Sequence, residues 1–306
     1  MLTRLFLWVT RRSGRARRTL FRGLFEGLAR FSGSMSAWTC MNYGYDDAGS
    51  TEPLPADAAA ERYCIQLYQR VVGPVDLAGC DVIDVSCGLG GGVAFIGRCL
   101  GARRVTGLDI SGGAIAFCRR VHRRPGLRFI QGDAEDMPLF DDSVDNLINV
   151  EASFCYGDFA RFLSEVRRVL KPGGYFHFAD LRHDDEVDGL FAVLADSGLE
   201  LLQTADITPQ VLRALEHDAA RRADGVRRKA PWFARGALAD FAGTAGSRIP
   251  TLLAEGRLCY FCLLLRKPQD PQTTAASVRR AELVAVLASG GSLAAAAAFT
   301  DFPAGK

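Results

Sequence analysis

The sequence predicts an α/β fold in which helices cover both faces of a doubly wound, mostly parallel β-sheet. Two observations indicate this fold: a glycine-rich turn follows a short apolar strand at residues 81–85, and strands and helices then alternate up to residue 205. Neighbouring parallel strands need a crossover, usually a helix, and they are apolar because both faces of the sheet are covered. A helical insertion at about residues 208–256, before the last strand, is expected to form a lid.

The composition of the 306-residue chain is that of an ordinary globular protein, with 48% apolar and 24% charged residues. No apolar run reaches the roughly 18 residues needed to span a bilayer, so an integral membrane protein is not expected. The nine cysteines stand mostly in apolar runs, where free thiols pack as small hydrophobes. Their odd number, without a secretory leader, predicts reduced thiols and a cytoplasmic location.

Basic charge is concentrated at the N-terminus. Residues 1–33 hold eight arginines and one acidic residue, although the net charge of the chain is only +2. The remainder is therefore mildly acidic, and no nucleic-acid surface spread over the fold is expected. Apolar residues recur at helical spacing opposite Arg18, Arg22 and Glu26, which predicts a basic amphipathic extension. Four roles fit this extension: contact with an anionic membrane surface, a place near the mouth of a lipid-binding cleft, a transit peptide, or a poorly ordered segment.

Short apolar runs bounded by turn residues predict seven strands. Most of these strands are separated by helical stretches, as the crossovers of a parallel sheet require. The predicted strands are residues 81–85, 104–108, 127–130, 144–150, 175–179, 199–205 and 258–265.

Caps and helix breakers bound the predicted helices. Gly73 and Pro74 end the first helix, because proline cannot continue it, and Ser111 is an N-cap. The helices are expected at residues 53–72, 93–100, 111–120, 158–170 and 186–196. Residues 34–52 have no clear periodicity and predict a loop or lid. A low-complexity, weakly ordered tail is expected at residues 268–306.

The turn after the first strand is Ser-Cys-Gly-Leu-Gly-Gly-Gly. Glycine tolerates positive φ and has no Cβ, so such a turn lets backbone amides approach a ligand closely. A dinucleotide fold requires G-x-G-x-x-G, but Val93 or Phe95 stands at the third glycine position. The turn instead resembles motif I of class I S-adenosylmethionine (SAM) methyltransferases, with Ser86 where that family usually has glycine. The motif is formed by Asp84, Ser86, Gly88 and Gly90.

Polar residues follow the second, third and fourth strands, at the edge where an open α/β sheet binds its ligand. Asp109 follows the second strand, where a carboxylate can accept hydrogen bonds from both ribose hydroxyls. Asp133 follows the third, suited to the adenine amino group beside Ala134, with Ile110 over the ring. Residues 149–151 end the fourth strand under the sulfonium and methionyl end. Each acid could instead cap a helix or face solvent, but their order at successive strand ends favours a cofactor site.

Six segments resemble the small-molecule SAM methyltransferases typified by the phthiotriol and phenolphthiotriol dimycocerosate O-methyltransferases. They are residues 41–47, 85–92, 107–110, 126–138, 149–156 and 165–182, within a similar region of about residues 39–266. The resemblance implies a Rossmann-like class I methyltransferase domain at residues 34–267 that methylates a hydrophobic lipid or polyketide hydroxyl. The residues predicted to bind SAM are Tyr43, Ser86, Cys87, Gly88, Gly90, Asp109, Ile110, Asp133, Ala134, Asn149, Val150 and Glu151.

The chain departs from these relatives at the expected catalytic base. Relatives commonly carry histidine after Asn-Val-Glu-Ala-Ser, whereas this chain has Phe154. A hydroxyl is too weak an acid to ionise unaided near neutral pH, so its methylation benefits from a positioned base. His183, just past the fifth strand, is the catalytic candidate, and Tyr156 or a phenol-type acceptor are alternatives. No divalent-metal ligand set stands at the strand ends, so metal-independent transfer is expected.

The absence of that histidine leaves three functions open. The first is O-methylation of a hydrophobic secondary metabolite or lipid. The second is methylation at carbon or nitrogen, where a dedicated base is less needed. The third is a protein that binds SAM without transferring its methyl group and instead shapes a substrate for rearrangement or cyclisation. The sequence does not specify an oligomeric state.

Overall fold

The computed structural model describes residues 39–48, 56–229 and 235–269, together with eight helical residues near the N-terminus. These eight, called the N-terminal helix below, are Gly14, Ala16, Arg18, Thr19, Arg22, Gly23, Glu26 and Gly27. From residue 270 onward the expected tail lies outside the described residues, as do parts of the segment at 34–55. Within the described part of the chain, no helix combines the length and hydrophobicity needed to cross a membrane.

Seven strands form one sheet. They are β1 (Asp81–Val85), β2 (Arg104–Asp109), β3 (Leu127–Gln131), β4 (Val144–Val150), β5 (Leu170–His183), β6 (Glu200–Asp206) and β7 (Leu258–Arg266). Their order is β3-β2-β1-β4-β5-β7-β6. The first five strands are parallel, and β7 runs antiparallel between β5 and β6. The predicted doubly wound, mostly parallel sheet is therefore confirmed, and the strand order reverses between β1 and β4.

Nine α-helices occur in the described residues that follow the N-terminal helix. They are α1 (Arg62–Val72), α2 (Gly91–Cys99), α3 (Gly112–Val121), α4 (Phe159–Val169), α5 (Val187–Asp196), α6 (Thr208–His217), α7 (Ala219–Lys229), α8 (Arg235–Phe241) and α9 (Arg248–Ala254). Ser111 caps α3 as expected, because its side chain accepts a hydrogen bond from Ala114 N. The last four helices fall in the predicted insertion before β7.

Two elements differ from the sequence prediction. The helix expected from residue 53 is a 3₁₀ turn at Ala56–Glu61 followed by α1. The fifth strand is longer than expected, because β5 begins at Leu170 directly after α4 and pairs with β7 as far as His183. The antiparallel partner accounts for the extension past residue 179, since it supplies hydrogen bonds beyond the end of β4, whereas Leu170 at the start of β5 pairs with Val144 of β4.

The hydrophobic core lies on both faces of the sheet. Side chains of α1, α2 and α3 pack on one face, and those of α4 and α5 pack on the other. Such two-sided burial explains the nearly continuous apolar sequence of the central strands. It also leaves the carboxyl ends of β1, β2 and β4 as the edge at which polar side chains can gather around a ligand.

Candidate active site

An open cavity lies at the carboxyl ends of β2, β1 and β4, beside the point where the strand order reverses. Its volume is about 940 Å³ when the solvent-filled mouth is included. The turn after β1 forms its floor, and residues that follow β2, β3 and β4 form its walls. The cavity is thus where a doubly wound sheet is expected to bind a ligand.

The glycine-rich turn adopts backbone conformations that explain its composition. Ser86 has φ 62°, Gly88 has φ 54° and Gly90 has φ 80°, all in the left-handed region. Gly88 lines the cavity, and a Cβ there would meet only Met41 Sδ within 4 Å, at 3.4 Å. Its missing side chain therefore leaves room for a ligand against the backbone. Ser86 keeps the conformation that glycine adopts most easily, at a strain cost on the order of 1 kcal/mol.

Asp109 joins the end of β2 to the glycine turn. Its Oδ2 accepts a hydrogen bond from Gly88 N at 2.9 Å, and its Oδ1 accepts one from Ser111 N at 2.8 Å. Burial raises the pKa of Asp109 to about 6, although both amide hydrogen bonds lower it. The carboxylate lines the cavity with lone pairs left to accept further hydrogen bonds, as ribose hydroxyls would supply.

The rim beside β3 carries two acids and an arginine from the N-terminal helix. Asp133 Oδ2 lies 2.9 Å from Arg18 Nη1, and Glu135 Oε2 lies 3.6 Å from the same atom. Glu135 Oε1 also accepts a hydrogen bond from Gly157 N at 2.6 Å. Arg18 and Arg22 both line the cavity. The polar face of the N-terminal helix therefore forms part of the wall.

The wall after β4 contains a carboxylate held by two donors. Glu151 Oε1 accepts hydrogen bonds from Tyr43 N and from Tyr260 Oη, each at 2.7 Å. Burial raises the pKa of Glu151 to about 8. Tyr43 itself does not line the cavity, but its amide fixes the carboxylate that does.

Tyr156 links the glycine turn to β4. Its hydroxyl is 2.8 Å from Ser86 Oγ and accepts a hydrogen bond from Asn149 Nδ2 at 2.7 Å. Asn149 Nδ2 also donates to Val85 O at 2.9 Å. Asn149 is fully buried and does not reach the cavity wall, so it holds the neighbouring strand ends and Tyr156 in place.

The insertion before β7 reaches the cavity through Phe241 at the end of α8. Phe241 O accepts a hydrogen bond from Tyr43 Oη at 3.2 Å. Arg222 of α7 donates to Asn42 O, Tyr43 O and Ala242 O at 3.0 to 3.1 Å. These hydrogen bonds join the insertion to the segment at residues 39–48 beside the cavity.

The structure brings most of the predicted cofactor residues to one cavity and leaves four of the predicted site residues away from its wall. Tyr43 and Asn149 act behind the wall, as described above. Gly90 is buried among Cys118, His122 and Phe129, where a Cβ would lie 2.9 Å from each. His183 pairs with Leu258 across the sheet and is not brought to the cavity. The predicted residues on the wall are Ser86, Cys87, Gly88, Asp109, Ile110, Asp133, Ala134, Val150 and Glu151.

Other wall residues were not among those predicted to bind the cofactor. Gly92 belongs to the glycine turn, and Tyr156 was an alternative base, but most of the others come from segments far from the turn, so only the folded chain brings them together. The helical spacing of Arg18 and Arg22 was visible and fitted either a membrane surface or the mouth of a cleft, and the structure places both residues on the cavity wall. The additional residues are Arg18, Arg22, Thr39, Cys40, Met41, Asn42, Tyr68, Gly92, Glu135, Ala152, Cys155, Tyr156 and Phe241.

Comparison with known proteins places this geometry in a family. The profile of a family described as a methyltransferase domain matches residues 83–178. A phthiotriol/phenolphthiotriol dimycocerosates methyltransferase of Mycobacterium tuberculosis is 42% identical over 221 residues, which cover 72% of this chain and 82% of that protein. A fatty-acid O-methyltransferase of Mycolicibacterium smegmatis is 40% identical over 196 residues, covering 64% of this chain and 72% of that protein.

Solved structures show the same fold. A geranyl diphosphate C-methyltransferase from Streptomyces coelicolor A3(2), solved with Mg²⁺, geranyl diphosphate and S-adenosyl-L-homocysteine, superposes with a TM-score of 0.56. It is 18% identical, and the match covers 79% of this chain and 97% of that chain. At this identity the likeness is one of fold alone.

The doubly wound sheet, the glycine turn and the matched profile define a class I SAM-dependent methyltransferase. The cavity fits the cofactor, because Gly88 leaves space beside the backbone and Asp109 places a carboxylate next to it. S-adenosyl-L-methionine supplies the activated methyl group. The chain belongs to the family of the phthiotriol/phenolphthiotriol dimycocerosates methyltransferases.

Proposed function

We propose that the enzyme transfers the methyl group of SAM to a hydroxyl oxygen of a hydrophobic, lipid-like small molecule. The observation that carries this proposal is the composition of the cavity wall. It combines polar groups of the glycine turn and of Asp109 and Asp133 with apolar side chains such as Met41 and Phe241. The names of the relatives support the acceptor class, since one acts on phthiotriol dimycocerosates and another is a fatty-acid O-methyltransferase.

We assign the cofactor contacts to the wall residues that follow β1, β2 and β3. Asp109 would accept hydrogen bonds from the ribose hydroxyls, and Asp133 would accept one from the adenine amino group. Ile110 would cover the adenine ring, with the Ala134 amide beside it. Gly88 and its neighbours in the turn would face the methionyl end. Support comes from the order β3-β2-β1 of the neighbouring strands that these residues follow in the sheet.

The acceptor would lie against the apolar part of the wall. This part includes Met41, Val150, Ala152 and Phe241. Burial of an alkyl chain here is favourable by about 25 cal/mol per Å² of apolar surface removed from water. Catalysis would then rest mainly on aligning the acceptor oxygen with the methyl carbon and on excluding water.

An acceptor screen tests the proposal directly. The purified enzyme is incubated with methyl-labelled SAM and matched series of long-chain alcohols, phenols, fatty acids and amines. We expect label in a hydrophobic ether or ester and one equivalent of S-adenosylhomocysteine (SAH) per label. Label on carbon or nitrogen would contradict O-methylation and show that the enzyme is a C- or N-methyltransferase. Turnover of an acceptor without SAH would indicate a SAM-binding enzyme that does not methylate.

The insertion over residues 208–256 is proposed to act as a lid on the acceptor side. Phe241 on the wall and the bonds of Arg222 to the segment at 39–48 support this assignment. Replacing Phe241 by Ala is expected to raise KM for a long-chain acceptor more than KM for SAM. An equal rise in both constants would count against a lid specific to the acceptor.

We propose that the enzyme is cytoplasmic and that its N-terminal segment makes peripheral contact with an anionic membrane surface. The support is its eight arginines within residues 1–33 and the helical conformation of its described residues. Co-sedimentation measures the binding of the full chain and of a variant lacking residues 1–33. Both proteins are tested with anionic liposomes and with neutral liposomes. We expect binding of the full chain to anionic liposomes only, and equal binding of both proteins would remove the membrane role.

A further inference from the structure

Glu151 stands on the cavity wall in an unusual backbone conformation. Its φ is 50°, in the left-handed region that non-glycine residues seldom adopt. Holding such a residue costs on the order of 1 kcal/mol or more, and it persists only where the surrounding structure fixes it. Glu151 N donates to Ala179 O at 2.8 Å, so β5 holds the turn. The side chain is therefore placed on the wall by the fold and does not simply follow the direction of β4.

The two carboxylate oxygens of Glu151 have different surroundings. Oε1 accepts both hydrogen bonds described above, from Tyr43 N and Tyr260 Oη. Oε2 receives no hydrogen bond from any residue that the structure describes. A base needs a lone pair open toward the proton that it takes, and a fixed orientation. Glu151 has both, since one oxygen is anchored and the other is available at the cavity.

The other acids on the described wall are already engaged. Asp109 accepts a backbone amide on each oxygen. Asp133 pairs with Arg18, and Glu135 accepts Gly157 N and lies near the same arginine. These acids also follow β2 and β3, on the side assigned to adenosine. Glu151 follows β4, next to apolar wall residues.

Burial and the neighbouring groups together raise the pKa of Glu151 to about 8. Burial is the largest influence that raises the pKa, and the negative charge of Asp180 on β5 acts in the same direction. The hydrogen bonds from Tyr43 and Tyr260 and the positive charge of Arg222 lower it. A base is most effective with a pKa near the pH at which it works, because it is then partly ionised and still binds the proton firmly.

We propose that Glu151 is the catalytic base of this enzyme, taking the proton of the acceptor hydroxyl on Oε2, with Tyr260 as a positioning residue that holds Oε1. The inference rests on the O-methylation proposed above. An oxygen lone pair forms the bond to the methyl carbon as the carbon–sulfur bond breaks, and sulfur keeps that electron pair. The electrons of the O–H bond return to oxygen, and the proton passes to Glu151 and later to water.

Glu151→Gln keeps the shape and the acceptor for Tyr260 but cannot take a proton. We expect kcat to fall by about 10²- to 10⁴-fold, the usual contribution of a general base, with little change in the affinity for SAH measured by calorimetry. Glu216→Gln, on the exposed surface of α6, is the matched control and should keep wild-type kcat. Full activity of Glu151→Gln would overturn the proposal. So would a loss of SAH affinity as large as the loss of activity, because Glu151 would then be a cofactor ligand.

Tyr260→Phe is a second test. It should shift the pH dependence of kcat, which would not happen if Glu151 and Tyr260 had only a structural role. It removes a hydrogen bond that lowers the pKa of Glu151, so the rising limb of kcat against pH should move to higher pH. Infrared titration of the cofactor-free proteins should show a carboxyl band that ionises near pH 8, moves upward in Tyr260→Phe and is absent from Glu151→Gln. An unmoved pH profile in Tyr260→Phe would contradict the proposal.

The failure of O-methylation and the failure of the base assignment give different results. If the wild-type enzyme methylates no hydroxyl in the acceptor screen, the proposed O-methylation is wrong, and the assignment of Glu151 as the base is wrong with it. If the wild type methylates a hydroxyl and Glu151→Gln does so at the same rate, only the base assignment falls.

Discussion

Arg18 Nη1 of the N-terminal helix lies 2.9 Å from Asp133 Oδ2 on the rim of the cofactor cavity. Two helical turns further along, Glu26 Oε2 accepts a hydrogen bond from Ser111 Oγ at 2.7 Å. The polar side of the predicted amphipathic helix thus contacts the enzyme at two successive strand ends. These contacts place the helix over the side of the cavity that we propose binds adenosine.

Loosening this helix should speed the release of bound cofactor. Each of these part-buried contacts contributes on the order of 0.5 to 1 kcal/mol, so Arg18→Ala combined with Glu26→Ala should raise the dissociation rate of SAH several-fold. Stopped-flow displacement of SAH measures the rate. Arg128→Ala is the control, because it removes an exposed arginine that does not line the cavity. Equal rates in the double variant and the wild type would show that the helix does not retain the cofactor.

Asp109→Ala should weaken SAM binding more than any change on the rim. The change removes an acceptor for the cofactor and leaves Gly88 N and Ser111 N without the oxygens that they bind now. Hydrogen bonds to a charged acceptor contribute about 1.5 kcal/mol or more each, so a loss on the order of 2 to 3 kcal/mol is expected. Calorimetric titration gives the dissociation constant, with the exposed Asp188→Ala as control. A shift below threefold, about 0.7 kcal/mol, would exclude Asp109 from the site.

The sequence predicted the sheet and the strand-end acids because both leave local signals. Asp109 and Asp133 follow apolar runs directly, and the parallel sheet brings such ends together. Phe241 and Arg18 carry no comparable signal, since their place on the wall depends on contacts between distant segments. Gly90 belongs to a recognised spacing, yet the structure uses it for packing. The spacing of glycines in the turn shows that position 90 needs a small residue. It does not show whether a ligand or neighbouring side chains approach that residue.

Gly90→Ala is expected to destabilise the fold by about 2 to 5 kcal/mol. The residue has φ 80°, which costs an alanine about 1 to 2 kcal/mol. Its new Cβ would lie 2.9 Å from Cys118 Sγ and from the rings of His122 and Phe129, and overpacking costs about 1 to 3 kcal/mol. Urea unfolding measures the change. Gly189→Ala in α5 meets no atom within 4 Å and should be neutral or stabilising, so equal effects at both glycines would contradict the packing argument.

Arg222→Ala should cost about 3 to 5 kcal/mol of unfolding free energy. The guanidinium is buried, pairs with Asp218 at 3.0 Å and donates to three backbone carbonyls. Its removal leaves three carbonyl oxygens of buried residues without this donor, whereas Asp218 keeps its ion pair with Arg221. Arg228→Ala on the same helix is the matched control, because its side chain is 71% exposed and pairs with Asp224 at the surface. We expect a change within about 1 kcal/mol there. Similar losses in the two variants would show that any loss of charge destabilises α7. The hydrogen bonds of Arg222 to the three carbonyls would then contribute nothing of their own.

Asp84 should make the stability of the enzyme fall as pH rises toward neutral. The side chain is 1% exposed and accepts a hydrogen bond from Tyr68 Oη at 3.0 Å. Burial raises its pKa to about 7 and the charge of Asp109 adds to the shift, whereas the bond from Tyr68 lowers it. An unfolded aspartate ionises near pH 3.9. Between about pH 4 and pH 7 the folded protein therefore keeps a proton that the unfolded chain releases.

The stabilisation from this proton is complete below about pH 4 and is lost as pH rises through the folded pKa, by up to about 1.4 kcal/mol per pH unit. Asp84→Asn has no group to titrate at this site, while Asp109 and Glu151 titrate in both proteins. Urea unfolding at pH 5 and pH 7 should therefore show the variant gaining stability relative to the wild type at the higher pH. If the difference between the two proteins is the same at both pH values, Asp84 is already ionised in the folded enzyme, and Tyr68 donates to a permanent buried charge.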